Sequence, residues 1–120
     1  MMENHATALV VETNYLIAAA VETPLMQSGF HVVVAINETE VLEAFATYSI
    51  QIAIIDFRLQ YGDADGLVAK LKAANIPYIF CTAASSEEVA EHFPGARVVE
   101  KPFGDDMLLS LVTELVGAPR

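Results

Sequence analysis

Several short apolar runs in this chain end on groups that can do chemistry. LVVE at 9–12 closes on Glu12, with Thr13 next; IAIID at 52–56 closes on Asp56; IFCT at 79–82 closes on Thr82; and VVEKP at 98–102 closes on Glu100, Lys101 and Pro102. An isolated carboxylate at the end of a buried run is costly, so Asp56 needs a chemical purpose. Two carboxylates held together suit a hard divalent cation such as Mg²⁺. A carboxylate can also be the nucleophile that accepts a phosphoryl group. The charge of the transferring group is then balanced by metal on one side and an ammonium such as that of Lys101 on the other. A threonine hydroxyl such as Thr82 can donate to a phosphoryl oxygen.

The elements that must bring these groups together are legible as an alternation. Apolar, β-branched runs at 7–12, 31–36, 50–56, 78–81 and 96–99 predict five strands. Between and after them, segments with helical spacing at 14–28, 37–48, 66–75, 85–93 and 104–116 predict five helices. The strands are not alternately polar, so both sheet faces must be covered, as in a parallel sheet enclosed by helices. The expected fold class is therefore α/β: a doubly wound five-stranded parallel sheet with helices on both faces, in one domain over residues 1–120. In such sheets ligands bind beyond the carboxyl ends of the strands, which is where Glu12, Asp56, Thr82 and Lys101 fall. Asn37 with Glu40 reads as a capping box, and Gly29 as the cap of the first helix. Pro24 interrupts that helix and predicts a kink or break near Ala20 to Thr23.

Composition narrows the function classes. Of 120 residues, 54% are hydrophobic, and six basic residues face sixteen acidic ones for a formal charge of −10. That field opposes direct binding of nucleic acid and tolerates a bound cation. Cys81 has no partner for an internal disulfide, sits in an apolar run as a small core residue, and fits a reducing cytoplasm. The N-terminal stretch reads as neither a signal peptide nor a membrane span. His5, His31 and His92 are scattered and read as surface or strand-end residues, the acids of SSEEVAEH as a solvated face, and MLLSLV mainly as core.

Taken in order, "LVVE", "IIDFRL", "IFCTA" and "EKPF", with steps of 44, 26 and 19 residues between Glu12, Asp56, Thr82 and Lys101, resemble the receiver domain of two-component response regulators. The resemblance runs from about Ala8 to Leu115. It implies a flavodoxin-like sheet of strand order 2-1-3-4-5, with Asp56 as phosphoacceptor, Thr82 as switch hydroxyl and Lys101 as the phosphoryl contact. It also implies a cis peptide at Lys101–Pro102, and Mg²⁺ held by Glu12, Asp56 and the backbone carbonyl of Arg58. The implied partners are a sensor histidine kinase or histidine phosphotransfer protein, and a downstream protein. The expected role is a cytoplasmic, stand-alone receiver in a phosphorelay rather than an enzyme with an external substrate, with no direct contact to nucleic acid or membrane.

The chain departs from that pattern in definite places. The second acid usual after the first strand is replaced by uncharged Thr13, which weakens the expected metal site. Arg58 offers a guanidinium that either replaces part of the metal's charge or pairs with Glu12. Val98 stands where the family often has a switch aromatic. The segment from Thr82 to Lys101 is short, similar to a lineage whose fourth helix is reduced or replaced by a loop. Gln60 stands where many receivers have proline, and residues 60–65 are expected to be mobile. Thr13 and Val98 keep open a pseudoreceiver, a binding module indifferent to phosphorylation. A flavodoxin-type FMN site lacks its phosphate loop in ETNYLI, and a dehalogenase-type phosphatase lacks a second aspartate at Arg58.

Overall fold

The computed structural model describes residues 6–56, 64–82, 86–100 and 104–116. Its elements alternate as β1 (Thr7–Val11), α1 (Tyr15–Gln27), β2 (His31–Ala35), α2 (Glu38–Thr47), β3 (Ile50–Asp56), α3 (Ala64–Ala73), β4 (Tyr78–Thr82), α4 (Ser86–His92), β5 (Arg97–Glu100) and α5 (Asp105–Val116). The strands form one sheet in the order β2-β1-β3-β4-β5, every neighbouring pair parallel. This is the doubly wound arrangement the unalternating apolar strands predict.

Two cores sit on opposite faces. On one, Val21 and Leu25 of α1 and Leu108 and Val112 of α5 cover Ala8, Val10, Ile52, Ile54, Ile79 and Val99. On the other, Val41 and Ala44 of α2, Val68 and Leu71 of α3 and Val89 of α4 cover Leu9, Val11, Ala53, Ile55 and Phe80. Each fully buried Leu or Ile contributes on the order of 1.5–3 kcal/mol relative to an exposed one. The even and odd series along each strand thus serve different helices. One shift interrupts the pattern: Thr7 pairs Ile50 but Ala8 pairs Ile52, leaving Gln51 as the extra, exposed residue. That bulge lets Ile50 join the same core as Ala53 and Ile55.

Local signals explain where the helices begin and end. Asn37 Oδ1 accepts from the Glu40 N–H, and Glu40 Oε1 accepts from the Ile36 N–H, a capping box whose return bond reaches one residue further back. α1 closes on Gly29 at φ +102°, where the Gly29 N–H donates to Met26 and the Phe30 N–H to Leu25. α3 closes the same way on Asn75 at φ +58°, with the Ile76 N–H donating to Leu71. Both are Schellman caps that turn the chain into the next strand.

Two expectations are corrected. Helix α1 is not broken near Ala20 to Thr23 but runs through Pro24 to Gln27. The carbonyl that Pro24 leaves without its helical donor belongs to exposed Ala20, within reach of water, and the buried proline ring packs in the helix's last turn. α3 starts at Ala64, so Ala64 and Asp65 are helical rather than part of a mobile loop; the acid in the first turn suits the helix dipole. Of the two forms expected for the fourth element, a short helix or a loop, the structure has the short helix, Ser86–His92, of seven residues. Among the described residues, no helix is long and apolar enough to cross a membrane.

Candidate functional site

Asp56 ends the central strand β3. Val11 pairs with Ile55, so Glu12, one residue on, lies level with Asp56 on the neighbouring strand. On the other side Asp56 pairs with Cys81, so Thr82 stands one residue further along β4, about 3.3 Å higher. Thr82 in turn pairs with Glu100, the last residue of β5. Neighbouring strands lie about 4.8 Å apart, so Glu12, Asp56, Thr82 and Glu100 line a single rim only a few strand spacings wide. Lys101 follows Glu100 directly in sequence. Lys101, the Lys101–Pro102 peptide, Arg58 and residues 60–63 lie outside the described residues.

The rim is graded from buried to open. Glu12 is 4% exposed and Thr82 0%, whereas Asp56 is half-buried. Thr13, the next residue, is also half-buried and carries no charge. Burying Glu12 requires compensation, and the backbone supplies some of it: the Asn14 N–H donates to Glu12 Oε2 at 3.1 Å. Asn14 is also the N-cap of α1, its Oδ1 accepting from Leu16 and Ile17 at 3.0 and 3.2 Å. The Glu12 N–H donates to the Ala35 carbonyl at 3.2 Å, tying the end of β1 to the end of β2. The carboxylate is therefore oriented by the same turn that starts α1. Sequence reasoning missed Asn14; the available signal was an asparagine immediately before an apolar-periodic run.

As donors, the two carboxylates on adjacent strand tips are hard oxygen ligands of the kind Mg²⁺ takes together with water. The described residues hold no cluster of three or more His, Cys, Asp or Glu side chains able to bind a metal.

A family model for the response regulator receiver domain matches residues 8–113. The chain belongs to the response regulator receiver domain family. The receiver domain of the Francisella response regulator 1452 superposes with a TM-score of 0.77 at 28% identity, over 92% of this chain and 96% of that one. The receiver domain of sensor histidine kinase PA1611 from Pseudomonas aeruginosa shares the fold, with a TM-score of 0.79 at 19% identity over 95% of this chain and 99% of that one. That structure carries a magnesium ion coordinated in its active site cleft. Among curated proteins, a probable transcriptional regulator, ycf29 of Pyropia yezoensis, is 29% identical over 115 residues, covering 90% of this chain and 52% of that protein. The receiver thus spans about half the length of the curated relatives it matches. The family's sheet order and its five helices are those described above.

Proposed function

We propose that this receiver is a phosphoacceptor of a two-component relay, with Asp56 taking the phosphoryl group from a histidine of a kinase or phosphotransfer protein. The observation that carries the reading is the level placement of Asp56 beside buried Glu12 on the two adjacent central strands, with Thr82 one residue above. In the transfer, an Asp56 oxygen attacks phosphorus, the phosphorus–nitrogen bond breaks, and its electron pair returns to the imidazole.

Glu12, Asp56 and the carbonyl of Arg58 would hold Mg²⁺, which when bound supplies positive charge against the phosphoryl oxygens. The remaining work falls to the chain itself. Glu12 is oriented by the Asn14 N–H, and Asp56 is held rigid by the central strand. Lys101 would contact the new oxygens and Thr82 would donate to one of them. The modification adds roughly −1.5 to −2 charges at a rim that already carries Glu12 and Glu100. Exposed Tyr15 and Leu16, in the first turn of α1 beside Glu12, offer the phosphodonor protein an apolar foothold. A downstream protein would then read the changed surface.

The test is labelling by a small phosphodonor in the presence of Mg²⁺. Wild-type protein should label and Asp56→Asn should not, a loss to background. Equal labelling of both would refute the assignment. No labelling of either, with no response to millimolar Mg²⁺, would leave a module that binds its partner irrespective of phosphorylation.

A further inference from the structure

We propose that in this receiver the ring of Phe93 couples the tip of β4 to helix α4, so that movement at Thr82 reaches α4 through the Phe80–Phe93 ring pair. The proposal rests on the phosphoacceptor reading of Asp56.

Strand alternation puts Phe80 and Thr82 on the same side of β4, two residues apart. Phe80 is wholly buried. Its ring centre lies 5.0 Å from that of Phe93, with the planes tilted by 33°, and 5.7 Å from that of Tyr78, edge-on at 79°. Aromatic contacts have preferred geometries, so a displaced Phe80 ring presses on specific neighbours rather than sliding past them.

Phe93 is fixed to its surroundings by backbone. It directly follows α4, its N–H donates to the Val89 carbonyl at 2.8 Å, and its carbonyl accepts from the Ala96 N–H at 3.1 Å. The ring therefore moves with the last turn of α4 and with the entry to β5. On β5 the register partner of Phe80 is Val98. A valine has no ring to swing, and Val98 and Phe93 both pack partly buried against the core that contains Phe80. The aromatic that meets Phe80 from this side thus comes from the end of α4, not from β5. Movement at Thr82 is delivered to α4, whose Glu87, Glu91 and His92 are exposed for a partner to read.

The experiment compares amide spectra with and without beryllofluoride and Mg²⁺. In the wild type, Asp56, Thr82 and residues 87–92 should all shift. In Phe93→Leu the shifts at Asp56 and Thr82 should persist while those of α4 fall roughly threefold or more, and Phe93→Tyr, which keeps the ring, should restore them. Unchanged α4 shifts in Phe93→Leu overturn the coupling. A wild type with no shift at Asp56 or Thr82 overturns the phosphoacceptor reading and the coupling with it, so the two failures are told apart. A second measurement needs no substitution: the ring resonances of Phe93 in the wild type should move with beryllofluoride. A Phe93 ring that stays still while the α4 amides shift overturns the proposal even if the leucine variant fails to fold.

Discussion

On the α1/α5 face, apart from Phe30, the sheet is closed by aliphatic side chains: Val21, Leu25, Leu108 and Val112 over Ala8, Val10, Ile52 and Ile54. The α2–α4 face instead carries the ring series Tyr78, Phe80 and Phe93 among its aliphatics. The rim divides along the same line. By strand alternation Glu12 continues the Ala8–Val10 series and Asp56 the Ile52–Ile54 series, whereas Thr82 continues from Phe80 and Glu100 from Val98. The two acids are thus based on the aliphatic half, and the hydroxyl stands on the ringed half. Aliphatic packing is non-directional and held mainly by buried area, whereas ring pairs constrain orientation. One face is suited to keeping the acids still, the other to carrying a change away from them.

The largest effect that tests this division is a truncation on the aliphatic side. Leu25 is fully buried in α1, so Leu25→Ala should lower stability by about 2–5 kcal/mol, measured by urea unfolding. The α4 shifts induced by beryllofluoride should nevertheless keep their wild-type size in the folded variant. If Leu25→Ala damps α4 as strongly as Phe93→Leu does, the two faces are not functionally distinct and the contrast breaks.

Much of the architecture was legible because its causes are local or periodic. Unalternating runs such as IQIAIID specify a strand covered on both faces, and the boundaries at Ile50 and Asp56 are met. The rim followed from that, since every strand of a parallel sheet points its chemistry-bearing end the same way. What escaped depends on partners distant in sequence. Pro24 reads as a breaker, yet Ala20 happens to face solvent, so the lost bond is cheap where it falls. The extra residue Gln51 is visible only once β3 is laid against β1. Nothing in IFCT says that the threonine is completely enclosed, because that depends on what packs over β4. Nor does Val98 announce a replacement; the ring that meets Phe80 lies five residues earlier, across a turn.

A smaller effect sharpens the aliphatic half's role as a fixed base. Asn14 caps α1 while its own N–H holds Glu12. Asn14→Ala should cost about 1 kcal/mol, and Asn14→Gly only a few tenths, because glycine is itself tolerated at the N-cap. Urea midpoints of the two variants separate the outcomes. An alanine variant as stable as wild type would mean that the start of α1 is set by packing alone, leaving Glu12 without an independently anchored turn.

The smallest effect concerns a contact that catches the eye more than it stabilises. Arg97, at the start of β5, pairs with Glu114 near the end of α5, which ties the sheet to the aliphatic-side helix. Both side chains are well exposed, at 44% and 49%. Water and salt screen such a pair, and holding two long side chains together costs entropy, so Arg97→Ala should shift stability by no more than about 0.5 kcal/mol. High salt should remove even that difference. Position limits the pair as much as exposure does. Parallel strands put Arg97 at the end of β5 opposite Glu100 and the rim, so the pair can neither orient the acids nor touch Thr82. A loss of several kcal/mol, or a changed beryllofluoride response in Arg97→Ala, would mean that the aliphatic half is held by this clamp rather than by the area its leucines and valines bury.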